Sequence, residues 1–240
     1  AVELLPEVVA ASALFSPALA GAADPARLRV HVADARRFVR TARGRWDLIV
    51  ADNFHPARSG SGALYTVEHF IAVRERLAEG GVFCQWLPLH QLDLATLQSI
   101  VQSYLAAFPN ARAMLATNSL STPVIGLLSH LDGRPFSARS GDGLAVPAAE
   151  FGLPNELAVL GSFVAGPRAL AEFARSAPRN SDDRPAVAWL APAATYGVQP
   201  SPAKRLQALL RHWQVAPEEI TAGGDAVRLG AYLAARRMFL

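Results

Sequence analysis

The sequence contains a single cysteine, Cys84, among its 240 residues. One thiol cannot form an internal disulfide framework, and such sparse use of cysteine indicates a reducing compartment. No grouping of histidine, cysteine and acidic residues has metal-ligand spacing, so we predict that the protein holds no metal. The chain also lacks a Gly-x-Ser-x-Gly motif, which disfavours a hydrolase built on that motif.

Long hydrophobic runs and basic blocks are missing as well. The longest uncharged stretch, residues 8–23, contains Pro17 and Gly21 and is too short and too weakly apolar to span a bilayer well. No basic segment precedes it, so it does not fit a signal peptide. The net charge of +3 is small and arginine-borne. We therefore expect no nucleic-acid partner.

The residues that are present favour an α/β fold. Apolar residues make up 51% of the chain and charged residues 18%, which is enough to build a core. Strands are predicted at 2–4, 28–32, 46–51, 82–86, 111–117 and 123–129, and helices at 6–20, 35–42, 66–78 and from Asp93 onward. The alternation predicts a doubly wound, mostly parallel sheet with helices on both faces. The run "WDLIVA" at 46–51 is typical of a strand buried on both faces.

Three acids occupy comparable places at the ends of predicted strands. Glu3 ends or nearly ends the first strand, Asp34 follows the strand 28–32 by two residues, and Asp52 directly follows the strand 46–51. Ligands of doubly wound folds bind outside the carboxyl ends of the strands, where a carboxylate can accept hydrogen bonds from ribose hydroxyls or an adenine amine. A single acid at a strand end more often caps a helix or forms a turn. Three in one sheet predict a nucleoside site on which all three converge.

Five segments carry a family resemblance. They are "VELLPEVV", "VADARRFV", "WDLIVADNFHP", "ALYTVEHF" and "LAEGGVFCQWLP". In this order they resemble the spermidine synthase family, and most of all the bacterial spermidine synthase-like proteins with a membrane-embedded segment before the catalytic domain. The resemblance covers about residues 1–130, and "NSDDRPAVAWLAP" adds a weaker match at 180–192.

The resemblance implies a methyltransferase-like (Rossmann-like) fold and an activity. Members of the family bind decarboxylated S-adenosylmethionine and move its aminopropyl group to an amine acceptor. By similarity, Glu3 holds the ribose hydroxyls, and Asp34 accepts from the adenine amine beside the backbone of Ala35. Asp52 matches the acid that assists attack by the acceptor amine. Tyr65 lies where the family's loop closes into the following helix, and we predict that it is catalytic together with Asp52.

The family motif after the catalytic acid commonly reads Asp-Ser-x-Asp-Pro, whereas this chain has His55 in place of the second acid. A neutral imidazole accepts a hydrogen bond, but a protonated one repels a diamine. We interpret His55 as a loop residue bonded to backbone, with a general base for another substrate as the alternative. Asp182 and Asp183 are candidates to replace the missing acidic anchor, and the alternative for both is a polar turn capped locally.

Two other functions stay open on the sequence. One is methyl transfer from S-adenosylmethionine, which His55 slightly favours. The other is a non-catalytic domain of a membrane protein that senses a polyamine or nucleoside. The resemblance further implies a cytoplasmic domain tethered to the inner membrane, and a homodimer.

The predicted organisation has three regions. Residues 1–130 form the nucleoside-binding core, 131–200 a loop-rich extension that completes the catalytic domain, and 201–240 a helical tail or appendage. Within the extension, helices are predicted near 155–165 and 167–176, and a short strand within 186–192. The chain begins without methionine and inside a predicted strand. We therefore expect a piece of a longer protein, without the family's first strand and glycine-rich turn, that would bind a nucleoside poorly.

Overall fold

The computed structural model describes residues 1–12, 14, 28–52, 55–116, 119–137, 148–153 and 155–237. These residues belong to two compact units, Ala1–Gly44 and Arg45–Leu240. Among the described residues, no helix is both long enough and apolar enough to cross a membrane.

The first unit is built from two short strands and two helices. Strands β1 (Val2–Glu3) and β2 (His31–Val32) pair in parallel, and helices α1 (Pro6–Ser12) and α2 (Ala35–Thr41) follow them. Both strands and both helix starts agree with the sequence prediction. The remainder of the helix predicted at 6–20 lies mostly outside the described residues. Because β1 and β2 run parallel, their carboxyl ends share one edge of this small sheet.

The second unit contains a five-stranded sheet surrounded by helices. Its strands are β3 (Trp46–Ala51), β4 (Leu77–Pro88), β5 (Arg112–Leu115), β6 (Val124–His130) and β7 (Phe163–Ala165). Its helices are α3 (Val67–Glu75), α4 (Leu94–Ala107), α5 (Glu156–Leu160), α6 (Pro167–Ala174), α7 (Ala186–Tyr196), α8 (Pro202–His212), α9 (Pro217–Ile220) and α10 (Gly224–Arg237). Short 3-10 helices lie at Ser61–Tyr65, Leu89–Gln91 and Ala148–Phe151.

The strand directions in this sheet correct one part of the sequence prediction. The α/β class is confirmed, but the spatial order is β3-β4-β6-β5-β7 and only the β3–β4 pair is parallel. The pairs β4–β6, β5–β6 and β5–β7 are antiparallel. The connection between β5 and β6 covers only residues 116–123, which is too short for the helical crossover that a parallel pair needs.

Strand β3 is also less buried than its sequence predicts. Leu48 and Val50 are 60% and 51% exposed, although a nearly continuous apolar run is typical of a strand covered on both faces. Within the described residues, β3 pairs with β4 alone and forms an edge of the sheet. Leu48 and Val50 are two positions apart, so they lie on the same face of β3, and that face is the exposed one.

Helix α4 contributes eight buried residues to the core. Asp93 caps it by accepting a hydrogen bond from the amide of Thr96 at 2.9 Å. Tyr104 is fully buried and its hydroxyl donates to the carbonyl oxygens of Phe83 and Leu127, at 3.3 and 3.2 Å. Four aromatic residues pack here, with neighbouring ring centroids 5.1–6.1 Å apart: Phe70, Phe83, Tyr104 and Phe108.

Two elements of the extension differ from prediction. The segment predicted as a short strand within 186–192 is helix α7. It is rich in alanine, and its buried residues Ala186, Val187, Ala191 and Ala194 recur at helical spacing. The helix predicted near 155–165 ends at Leu160, and the chain then forms β7, which pairs with β5.

The region after residue 200 is helical, as predicted, and it packs on the sheet unit. Arg205 of α8 is buried and donates to the carbonyl oxygens of Leu89 and His90, in the 3-10 helix that follows β4, at 3.3 and 2.8 Å. Ile220 and Leu229 share a core cluster with Leu160. The region boundaries at 130 and 200 stay predictions.

Candidate functional site

Glu3 and Asp34 lie at the carboxyl ends of neighbouring parallel strands. Glu3 is the last residue of β1 and is aligned with Val32, the last residue of β2. Asp34 follows β2 by two residues and caps α2, with its Oδ1 accepting from the amide of Arg37 at 2.7 Å. Ala35 forms the first turn of that helix. The structure therefore places these three residues at one edge of the small sheet in the first unit.

Both carboxylates keep capacity to accept further hydrogen bonds. Oε1 of Glu3 accepts from the amide of Leu5 at 2.9 Å, and Oδ1 of Asp34 is occupied by the helix cap. Each group has a second oxygen with no bond among the described residues. Since an ionised carboxylate has about four acceptor positions, the pair fits the hydroxyl and amine donors of a nucleoside.

Asp52 directly follows β3 and its side chain is exposed. Its backbone is held from the neighbouring strand by Gln85, which is aligned with Ala51 and is completely buried. Nε2 of Gln85 lies 3.5 Å from the carbonyl oxygens of Ala51 and Asp52, and donates to that of Trp86 at 3.0 Å. Oε1 of Gln85 is buried without a partner among the described residues.

The sequence analysis missed Gln85. The available signal was one polar residue in the middle of the apolar strand "VFCQW", and a buried polar group needs a partner or a function. Its position shows that β4 fixes the backbone from which Asp52 projects.

His55 has a local partner in the loop that follows Asp52. Nδ1 of its ring accepts a hydrogen bond from the amide of Ala57 at 3.3 Å. This contact agrees with the interpretation of His55 as a loop residue bonded to backbone. The bond leaves Nε2 to carry the proton of the neutral ring.

Tyr65 ends the 3-10 helix Ser61–Tyr65 and its side chain is fully buried. Contact with a substrate would require this segment to rearrange. Its predicted catalytic role stays a prediction, as does the convergence of Glu3, Asp34 and Asp52 on one pocket.

Asp182 and Asp183 are exposed on a tight polar turn. The amide of Arg184 donates to Oγ of Ser181 at 3.1 Å, and the amide of Ser181 donates to the carbonyl oxygen of Arg184 at 3.1 Å. The backbone amide of Asp182 donates to Oε2 of Glu68 at 3.0 Å. These bonds account for the turn. A role of either carboxylate in binding substrate stays a prediction.

Asn180, just before this turn, is a second residue that sequence reasoning undervalued. It is fully buried, and Nδ2 donates to the carbonyl oxygen of Gly62 at 2.9 Å. Its Oδ1 accepts from the amide of Val187 at 3.1 Å, and its own amide donates to Oγ of Ser103 at 2.7 Å. Asn180 thus joins the loop after Asp52 to α4 and α7.

No group of three or more histidine, cysteine or acidic side chains within the described parts of the chain could hold a metal ion. Cys84 is buried in β4, and burial raises the pKa of its thiol to about 12. A thiol with this pKa is not a nucleophile near neutral pH.

Comparison with known proteins identifies the family. The sequence profile of the spermine/spermidine synthase domain matches residues 1–124, slightly more than half of the chain. The chain belongs to this family. All of Glu3, Asp34, Ala35, Asp52, His55 and Tyr65 lie inside the matched region.

Individual relatives agree with the profile. A polyamine aminopropyltransferase from Caldicellulosiruptor saccharolyticus is 28% identical over 114 residues, covering 48% of this chain and 41% of the relative. A spermidine synthase from Thermotoga maritima shares the fold with a TM-score of 0.52 at 21% identity, over 72% of this chain and 58% of that one.

A second solved structure is a spermidine synthase in complex with the transition-state analogue AdoDATO. It superposes with a TM-score of 0.55 at 21% identity, over 72% of this chain and 60% of that one. The methyltransferase-like fold is thereby confirmed. The chain spans less than half the length of the curated relative, and about three-fifths of these two structures.

Proposed function

We propose that this chain is an aminopropyltransferase domain, which moves an aminopropyl group from decarboxylated S-adenosylmethionine to an amine acceptor. The observation that carries the proposal is the family match over residues 1–124, because that region contains every strand-end acid predicted to act. The curated relative named as a polyamine aminopropyltransferase supports it.

In this proposal the first unit recognises the nucleoside of the donor. Glu3 accepts from the ribose hydroxyls and Asp34 from the adenine amine, next to the backbone of Ala35. The support is that both carboxylates stand at carboxyl ends of paired parallel strands and each has an oxygen without a partner among the described residues. Crevices at such strand ends are where ligands of α/β sheets bind.

The proposed role of Asp52 is to position the acceptor amine and take its proton. The amine nitrogen attacks the carbon next to the sulfonium, a new C–N bond forms, and the C–S bond breaks with its electrons returning to sulfur. The positive charge moves from sulfur to nitrogen, and the amine then loses one proton. An exposed carboxylate within hydrogen-bond reach of that nitrogen can accept the proton.

The acceptor is proposed to be an amine other than a tightly held diamine. The family's second acid would anchor the distal ammonium group of a diamine, and His55 stands in its place. Because Nδ1 of His55 is engaged by the amide of Ala57, the ring offers an N–H donor rather than an anion to the substrate side. An N–H donor does not attract an ammonium group.

Location and assembly are extensions of the same proposal. We propose a cytoplasmic domain tethered to the inner membrane through a segment outside residues 1–240, and a homodimer. Both rest on the resemblance to membrane-fused spermidine synthase-like proteins.

Calorimetric titration of the full-length protein, which includes the segment outside residues 1–240, tests the donor. Decarboxylated S-adenosylmethionine should bind the protein more tightly than S-adenosylmethionine, and incubation of the former with an amine should release methylthioadenosine. Tighter binding of S-adenosylmethionine together with methyl transfer would replace the proposal with methyltransferase activity. Absence of binding by either compound would remove both transferase assignments.

A further inference from the structure

A groove with a volume of about 670 Å³ lies between the start of α3, the turn at 178–184 and the start of α7. Its polar lining consists of Glu68, Arg179, Ser181 and Arg184, and Trp189 contributes the largest apolar side chain. The volume is within the range of small-molecule sites. Neither Glu3, Asp34 nor Asp52 lines it.

Trp189 gives the groove an aromatic wall. It is 68% exposed on α7, a helix without any charged residue. A large aromatic side chain exposed beside a groove offers a face on which a planar ring can stack. Val67, Pro178, Ala186 and Leu190 complete the apolar part of the lining.

Arg179 and Arg184 give the groove positive charge. Across the described residues, neither guanidinium has an ion-pair partner. The hydroxyl of Ser181 accepts from the amide of Arg184 and keeps its own proton to donate. Guanidinium groups recognise phosphate oxygens through charge-assisted, often bidentate hydrogen bonds.

The charge balance limits the ligand to one anionic group. Among the lining residues, two arginines oppose a single acid, Glu68, whose Oε2 is occupied by the amide of Asp182. The exposed carboxylates of Asp182 and Asp183 belong to the same turn but do not line the groove. One phosphate carries a charge of about −2 at neutral pH, which the arginine pair neutralises. A ligand with several phosphates would leave uncompensated charge next to Glu68.

We propose that this groove binds a planar aromatic molecule bearing one phosphate group, the chemistry of a mononucleotide. The ring stacks on Trp189, while Arg179, Arg184 and the hydroxyl of Ser181 hold the phosphate. The site does not depend on aminopropyl transfer, because it shares no residue with the proposed nucleoside site or with Asp52.

Flavin mononucleotide is a suitable probe, with riboflavin as the matched ligand that lacks the phosphate. Stacking on an indole quenches flavin fluorescence, so both ligands can be titrated by the same readout. Flavin mononucleotide should bind about tenfold more tightly than riboflavin, since hydrogen bonds to charged groups are worth more than a factor of ten. Equal affinities would overturn the proposal.

Variants test the phosphate-binding part and the ring-stacking part of the site separately. Arg179→Ala and Arg184→Ala should each remove most of the preference for the phosphate and leave riboflavin binding unchanged. Trp189→Ala should weaken the binding of both ligands about tenfold, which is the usual loss when an aromatic residue that stacks on a base is replaced by alanine. Glu68→Gln keeps an acceptor for the amide of Asp182. It should tighten the binding of flavin mononucleotide and leave the binding of riboflavin unchanged. Unchanged binding by Trp189→Ala would contradict the site.

Two control variants distinguish this groove from the remaining aromatic surface and from the proposed nucleoside site. Tyr196→Ala removes an aromatic side chain that is 86% exposed on the same helix but outside the groove lining, and binding should not change. Glu3→Gln should leave flavin mononucleotide binding intact even if it abolishes binding of the transferase donor. Loss of flavin binding in Glu3→Gln would place the flavin in the nucleoside site and overturn the proposal.

Discussion

Nδ2 of Asn180 donates a hydrogen bond to the carbonyl oxygen of Gly62 at 2.9 Å, although 118 positions separate the two residues in the chain. Gly62 belongs to the loop that leads from Asp52 to α3, and Asn180 precedes α7. The turn containing Asp182 and Asp183 is therefore anchored to the same loop as the proposed catalytic acid. This bond predicts that a change at residue 180 affects the loop as well as the turn.

Asn180→Ala should lower the free energy of unfolding by about 2–4 kcal/mol, because it leaves the carbonyl of Gly62 and the amide of Val187 buried without partners. Urea denaturation followed by circular dichroism measures the change. Ser181→Ala, which removes one exposed cap, is the control and should cost less than about 1 kcal/mol. Equal losses in the two variants would mean that the buried bonds contribute little.

Asp52→Asn should reduce aminopropyl transfer about 10²- to 10⁴-fold, the usual contribution of a general base. Donor binding, measured by calorimetry, should stay nearly intact because Glu3 and Asp34 are unchanged. Asp47→Asn is the matched control, an exposed acid on β3, the strand that Asp52 follows, and should keep full activity. Normal turnover by Asp52→Asn would exclude the proposed role.

His55→Asp should lower the KM for a diamine such as putrescine about fivefold, because it restores a carboxylate where the family has one. His55→Asn is the control: it can still accept from the amide of Ala57 but adds no charge. Steady-state kinetics with a diamine and a monoamine show whether the change in KM is specific to the diamine. If the two variants have the same diamine KM, residue 55 does not contact the acceptor.

Gln85→Leu should lower kcat for transfer while the KM for the donor stays unchanged, since it removes the amide that holds the backbone of Asp52. Stability should change by no more than about 1 kcal/mol, because the unpartnered Oε1 is removed at the same time. Gln98→Leu loses a bond to the carbonyl of Phe173 at 2.9 Å and should affect stability but not kcat. A normal kcat for Gln85→Leu would assign Gln85 to folding alone.

Cys84 should resist modification by a disulfide reagent at pH 8 until the protein unfolds. Burial raises the pKa of its thiol from 9.0 to about 12, so the thiolate fraction falls about 10³-fold. Because the folded-state pKa lies above the unfolded-state pKa, the buried neutral thiol keeps its full contribution to stability below about pH 9. That contribution is lost as the pH rises toward 12. Rapid labelling of the native protein would show that β4 opens readily.

Much of the second unit could be predicted from local patterns. The apolar run of β3, the helical spacing of α4 and the cap at Asp93 each depend on neighbours within a few residues, and all three appear in the structure. The same holds for Asp34, which caps α2 within its own turn. Motif order was enough to predict the family, because it needs no knowledge of three-dimensional contacts.

Strand direction and the helix α7 could not be obtained in this way. An apolar strand has the same pattern whether its neighbour is parallel or antiparallel, so the reversal of β6 depends on which strand it meets. The segment at 186–192 suits a strand by its apolar run, and burial against α4 decides in favour of a helix.

The sequence by itself determined the element types around β3 and α4, the acids at the strand ends and the family, since each is encoded by residues close together in the chain. Tertiary structure decided the partners of Gln85 and Asn180, the exposure of β3 and the three antiparallel strand pairs. The contact of Gln85 with Asp52 and that of Asn180 with Gly62 join residues 33 and 118 positions apart, and a buried polar group takes whichever partner the packed chain brings to it.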